Sequence, residues 1–219
     1  MSSPTLTDKV SKMIYQDILS GEFKPCQKLV VADLKRRYRV GASPIREALV
    51  QLAWTKYVSL EPQKGCWVSP VCIDELADLY ESLRTVASVL IKKSIKLGGE
   101  EWELKVLTCY HKLSRLNFND ENFDWQQWEE RQYEFHIALL EGSNSPNMIG
   151  FFNDLINQIK RYRYFARNNG LDVHQFEIEE YEKILTLVMD KESEKAAEHF
   201  DRHLHRSMQQ IQVSIEKAA

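Results

Sequence analysis

The run Arg39-Val40-Gly41-Ala42-Ser43-Pro44-Ile45-Arg46-Glu47-Ala48-Leu49 constrains this chain more than any other feature. Ile45, Ala48, Leu49 and Leu52 recur at i, i+3, i+4 and i+7, which lays one apolar stripe along a helix. The opposite face carries Arg46, Glu47, Val50 and Gln51. Ser43 reads as the N-cap, Pro44 as the first helical residue and Gly41 as the tight turn before them. Upstream, Val31 to Tyr38 reads as a shorter helix with Leu34 inward and Lys35, Arg36 and Arg37 outward. Two short helices joined by a glycine turn, the second with a polar outer face, make a helix-turn-helix.

The flanks extend the pattern. Leu6 to Ser20 repeats its apolar residues at three- and four-residue steps, with Thr5 or Thr7 as cap and Gly21 as stop. Pro25 keeps the next segment extended, and Lys28 to Val30 is a short strand candidate. Tyr57 to Pro62 and Cys66 to Pro70 alternate as strands, and Gln63-Lys64-Gly65 between them is a tight hairpin with a cation at its tip. Helix, helix, turn, helix and charged hairpin in this order predict a winged helix-turn-helix. An exposed helix N-terminus favours phosphate, and arginine can grip guanine edges or backbone. The candidate DNA contacts are Lys35, Arg36, Arg37, Ser43, Arg46, Gln51, Lys64 and Gly65. The competing reading is a helical module of the same shape that contacts protein.

The charge balance agrees with a polyanion at one end only. Residues 1–70 hold 11 Lys+Arg against 6 Asp+Glu, whereas the remainder holds 18 against 26. A chain of 219 residues is comfortable for two domains. No apolar run is long enough for a membrane span, and the first ten residues lack a secretory core, so a cytoplasmic location is expected. Cys26, Cys66, Cys72 and Cys109 form no CxxC pair and read as thiols of a reducing compartment.

Beyond a linker around Pro70, the sequence reads as helices throughout: one capped by Asp74 and ending near Leu97, then Glu100 to Leu116, Trp125 to Leu140, Pro146 to Arg167, Val173 to Met189 and Lys191 to Lys217. The breaks fall at Gly98-Gly99, Asn119-Asp120, Gly142-Ser143-Asn144, Asn168-Asn169-Gly170 and Asp190. The expected fold is therefore mostly α: a winged helix-turn-helix in 1–70, a linker in 71–73 and an all-α antiparallel helical bundle in 74–219. Arg84 lies on a largely apolar helix, and its fork suits a ligand carboxylate, with a salt bridge as the alternative. Arg161-Tyr162-Arg163-Tyr164 is a second cation-aromatic cluster, from which Arg163 or its neighbour could meet the far end of a dicarboxylate.

The run Pro44-Ile45-Arg46-Glu47-Ala48-Leu49, with Gly21…Pro25…Lys28-Leu29 before it and Gln63-Lys64-Gly65…Val68 after it, resembles the GntR family of bacterial regulators. Leu79-Tyr80-Glu81-Ser82-Leu83-Arg84, Glu134-Phe135-His136 and Ala196-Ala197…His203-Leu204 resemble the FadR-like subfamily with its FCD ligand-binding domain. Within it the chain looks most like the CsiR-type carbon-starvation regulators of glutarate and γ-aminobutyrate genes. Family members often carry arginine where this chain has Ala32 and Ala42, so the resemblance does not carry over an operator sequence, and Cys26 replaces the usual glycine after Pro25. FCD domains commonly hold a divalent metal with an Asp and three His. The matching positions here are Gln132, His136, Tyr181 and His203, so the resemblance implies the pocket but not the metal.

The function expected from this is a homodimeric repressor on two half-sites or an inverted repeat, released by a small carboxylate, for instance a dicarboxylate such as glutarate. The effector pocket is expected at Arg84, Gln132, His136, Arg163, Tyr181 and His203. An enzyme using His136 and His203 is disfavoured, because no nucleophile motif, phosphate loop or carboxylate pair accompanies them.

Overall fold

A computed structural model describes residues 4–116, 123–171 and 178–218. Helix α1 (Leu6–Leu19) starts from Thr5, whose hydroxyl accepts from the Asp8 N–H while Asp8 accepts from the Thr5 N–H. Strand β1 (Lys28–Leu29) leads to α2 (Val31–Tyr38) and α3 (Ala42–Trp54). Strands β2 (Val58–Glu61) and β3 (Gly65–Val68) form the hairpin. The sheet runs β1-β3-β2, antiparallel throughout, with Leu29 opposite Cys66 and Val58 opposite Val68. Then follow α4 (Ile73–Leu97), α5 (Glu100–Ser114), α6 (Trp125–Glu141), α7 (Pro146–Asn168), α8 (Ile178–Met189) and α9 (Ser193–Ala218).

The chain gathers into two compact units. The first holds the chain up to Leu76 with Ile156–Gly170 and the stretch from Ile211, and the second holds Ala77–Leu155 and Leu171–Gln210. In the first unit Val10, Ile14, Leu34, Ile45, Ala48, Leu49, Leu52, Val58 and Val68 close one core under α1, α2, α3 and the sheet. Tyr57 stacks edge-on against Tyr15, and its hydroxyl donates to the Asn157 carbonyl at 2.8 Å. In the second unit the Trp102 indole N–H donates to the Ala138 carbonyl (2.8 Å), and the Ser94 hydroxyl donates to the Leu140 carbonyl (2.7 Å). Gly98 and Gly142 make room for that indole: a Cβ at Gly98 would stand 2.1 Å from it, and one at Gly142 2.9 Å.

Several local expectations change. The N-cap of α3 is Gly41, and Ser43 lies inside the first turn, where its hydroxyl donates to Glu47 at 3.1 Å. Gly41 has an ordinary extended backbone (φ −68, ψ 169), and the left-handed residue of the turn is Arg39 (φ 55), which ends α2. A left-handed residue after a helix satisfies its last carbonyls, so the break belongs to α2 rather than to α3. Asp74 lies in the first turn of α4 instead of ahead of it. Helix α9 begins at Ser193 because Lys191 is left-handed (φ 58). The expected break at Asn119-Asp120 and the expected helix start at Val173 lie outside the described residues.

Candidate DNA-binding surface and buried polar cluster

The buried stripe of α3 is Ile45, Ala48, Leu49 and Leu52, which leaves Arg46, Glu47 and Gln51 exposed. Arg46 and Lys35 are exposed, and among the described residues neither has an ion-pair partner. The helix also has no acidic residue in its first turn, so its positive end is not offset locally. Gly65 (φ 130) and Gln63 (φ 62) bend the wing, whose tip residue Lys64 reaches Glu61 at 3.1 Å. Arg39, which was not among the sequence candidates, is exposed on the turn between α2 and α3. Its signal was its place ahead of Gly41 in the turn itself.

The three cations of α2 differ in what they touch. Lys35 is free, whereas Arg36 pairs with Asp33 one turn away in an exposed contact. Arg37 bonds Asp17 Oδ2 through Nε (2.8 Å) and Glu22 Oε2 through Nη2 (3.0 Å), and lies over the Phe23 ring. Hydrogen bonds to Glu22 and Asp17 raise its proton affinity further above the usual arginine value. The neighbouring Tyr38 hydroxyl donates to Asp17 at 2.6 Å, and burial pushes that phenol up. Arg37 therefore ties α2 to α1. Gln51 also has a local partner, Asp8, at 3.4 Å.

The second unit brings four sequence-distant polar residues together. Gln132 and His136 are one turn apart on α6, Tyr181 lies on α8 and His203 on α9. All four are buried, with relative exposures of 2%, 4%, 1% and 8%. The Gln132 amide N–H donates to the Tyr181 hydroxyl at 2.6 Å. The Tyr181 ring centroid is 4.7 Å from that of His203 and 6.2 Å from that of His136, and the two imidazoles are 5.4 Å apart. Phe135 and Phe200 pack on the same rings. A buried Tyr80–Ser207 hydrogen bond (3.1 Å) joins α4 to α9 in the same unit.

The metal implied by the resemblance does not fit this donor set. A closed site for zinc or a similar ion uses imidazole, thiolate or carboxylate donors, and ordinarily at least three of them come from the protein. Here an amide and a phenol occupy two of the four positions and already bond each other. Only His136 and His203 are metal-type donors.

Arg84 has its polar partners outside the four-residue cluster. Arg84 forks onto Asp201, Nε to Oδ1 at 2.7 Å and Nη2 to Oδ2 at 2.6 Å, with Nη1 3.3 Å from His205. The hydrogen bonds to Asp201 raise its proton affinity. Its polar contacts are thus with α9 on the rim of a groove of about 450 Å³ lined by Glu81, Asp201 and His205, and not with the four-residue cluster. Arg163 is buried and groups with the first unit. Beside it, Arg161 is taken up by Glu75 (3.1 Å), the Tyr162 hydroxyl (3.2 Å) and the Pro70 carbonyl.

A winged three-helix module with free cations on its second and third helices, carried on one chain with a helical unit, has the build of a two-domain DNA-binding regulator. Residues 6–68 match the bacterial regulatory proteins of the gntR family, and residues 77–206 match the FCD domain. The transcriptional repressor GlaR of Escherichia coli K12 is 30% identical over 93% of this chain and 94% of its own. BphR, a transcriptional regulator of Paraburkholderia xenovorans LB400, is 27% identical over 93% of this chain and 84% of its own. The solved structure of E. coli McbR/YncC superposes with a TM-score of 0.72 at 17% identity, covering 99% of this chain and all of that one, a likeness of fold. The chain belongs to the GntR family of transcriptional regulators and carries an FCD effector-binding domain. It is a regulator and not an enzyme, as its relatives are. Among the described residues no helix is long and apolar enough to cross a membrane.

Proposed function

We propose that this protein is a cytoplasmic, homodimeric repressor that grips two half-sites of an operator through α3 and the wing and is released by a small carboxylate. The free, exposed Arg46 on the outer face of α3 carries the DNA half of this reading. One winged module buries too little to bind tightly alone, so a two-fold dimer on an inverted repeat supplies the affinity. Lys35, Arg39 and Lys64 add phosphate contacts, while Arg37 and Gln51 act mainly on their own module.

The convergence of Gln132, His136, Tyr181 and His203 supports the sensing half. Imidazole, amide and phenol N–H and O–H groups can all donate to a carboxylate, and an aromatic wall excludes water around them. The repressor GlaR among the relatives supports repression as the sign of control. A dicarboxylate of the glutarate kind, the closeness to CsiR-type regulators and the division into a DNA-binding domain (1–70), linker (71–73) and effector and dimerisation domain (74–219) belong to this proposal. Arg84 belongs to it only if an incoming carboxylate displaces Asp201.

The test is anisotropy with DNA from upstream of the protein's own gene at two salt concentrations, with and without glutarate. A salt-dependent complex weakened by glutarate is expected. An absent or salt-insensitive complex favours the protein-contact module instead. Calorimetry with glutarate on Arg84→Ala decides that residue: unchanged affinity removes it from the site.

A further inference from the structure

We infer that the Gln132–Tyr181 hydrogen bond replaces a metal ion as the cross-link between the sensor helices, and that two substitutions would turn this cluster into a zinc site. The geometry is that of a ligand centre whose donors have changed. Gln132 and His136 rise from one face of α6, and Tyr181 and His203 meet them from α8 and α9. The three rings, from three helices, lie with centroids 4.7–6.2 Å apart, and Gln132 joins them through its bond to Tyr181.

The chemistry of two corners forbids the ion. A carboxamide oxygen is a weak, neutral ligand, and a phenol must lose a proton that ordinarily leaves near pH 10. What these two groups do well is bond each other, amide N–H to phenol oxygen at 2.6 Å, which joins α6 to α8 without a cation. Burial makes that bond matter, because at 1–2% exposure both groups have exchanged water for protein partners. Aspartate for the amide and imidazole for the phenol would give three imidazoles and a carboxylate at the same four positions, a donor set suited to zinc.

The experiment uses tag-free, full-length protein, calorimetry with Zn2+ alone and elemental analysis after dialysis. The wild type should retain no stoichiometric zinc, and EDTA should leave its Tm unchanged. The Gln132→Asp/Tyr181→His variant should hold about one Zn2+ per chain, bind it roughly 100-fold or more tighter than the wild type, and lose a raised Tm on adding EDTA. Adding His136→Ala should abolish that gain, which separates the cluster from surface histidines. If circular dichroism shows the double variant unfolded, Tyr181→His alone supplies three imidazoles and should bind about 10-fold tighter than the wild type. Stoichiometric zinc in the wild type, lost on His136→Ala, would overturn the inference. So would a folded variant that binds zinc no better than the wild type.

Discussion

The winged module and the second unit spend their polar residues in opposite ways. In the winged module the cations stand outside, and their value depends on whether a carboxylate has already claimed them: Arg46 and Lys35 are free, whereas Arg37 is held by Asp17 and Glu22. In the sensor unit the informative polar residues are inside and bond one another, as Gln132 and Tyr181 do. An exposed charge can be read as a contact from its place on a helix. A buried polar group acquires meaning only from the residues that surround it.

Substitutions that pair one residue of each kind test this contrast. The largest expected effect is on DNA. Arg46→Ala should weaken operator binding about 10- to 100-fold by anisotropy, the range for losing a base-edge or well-placed backbone contact, with Tm unchanged. Arg37→Ala should do the reverse. It should lower Tm by an amount in line with about 1 kcal/mol for a partly exposed two-carboxylate network, and leave the salt dependence of binding nearly intact. Equal effects of the two on the salt slope would break the distinction.

Within the sensor unit, Gly98→Ala should cost about 1–3 kcal/mol by denaturant titration, because the new methyl meets Trp102 at 2.1 Å and the Ser94 carbonyl at 2.7 Å. A neutral result would mean that the indole is not fixed by its bond to Ala138. In the winged module, Cys26→Gly should stabilise by about 0.5–1 kcal/mol, since Cys26 is held at φ 63, where a Cβ is strained. A lower Tm would show that the side chain contributes more than its backbone costs.

The smallest effect concerns the cap of α1. Hydrogen bonds from Thr5 hold the Asp8 carboxyl below its usual range. A depressed folded-state value means that this contribution is present above about pH 4 and is lost as pH falls through the folded value. Asp8→Asn should flatten the stability–pH curve of the intact protein on that acidic limb and leave the region near pH 7 little changed. An unchanged acidic limb would remove Asp8 from the account.

The winged architecture was legible because each element carries its own local pattern. The stripe Ile45, Ala48, Leu49, Leu52 and the hairpin around Lys64 and Gly65 need no distant partner to be recognised. The caps in that region are not fixed by residue type, since Ser43 and Gly41 both suit a turn, and only the backbone shows that Arg39 takes the left-handed position. Arg84 shows the same limit on a larger scale. Its helix and apolar neighbours were visible, but its partner Asp201 lies 117 residues away along the chain.

What the sequence by itself determined is the order of helices and strands, the buried stripes and the basic and acidic halves, while the family resemblance pointed to Gln132, His136, Tyr181 and His203. Periodicity and net charge are properties of neighbours along the chain, so they survive without a fold. Only the tertiary structure decided which arginines are free, which carboxylates bind them, and that an amide and a phenol from separate helices bond where two metal ligands are absent. Those outcomes depend on distances between remote residues and on exclusion of water, and both come into being only when the chain packs.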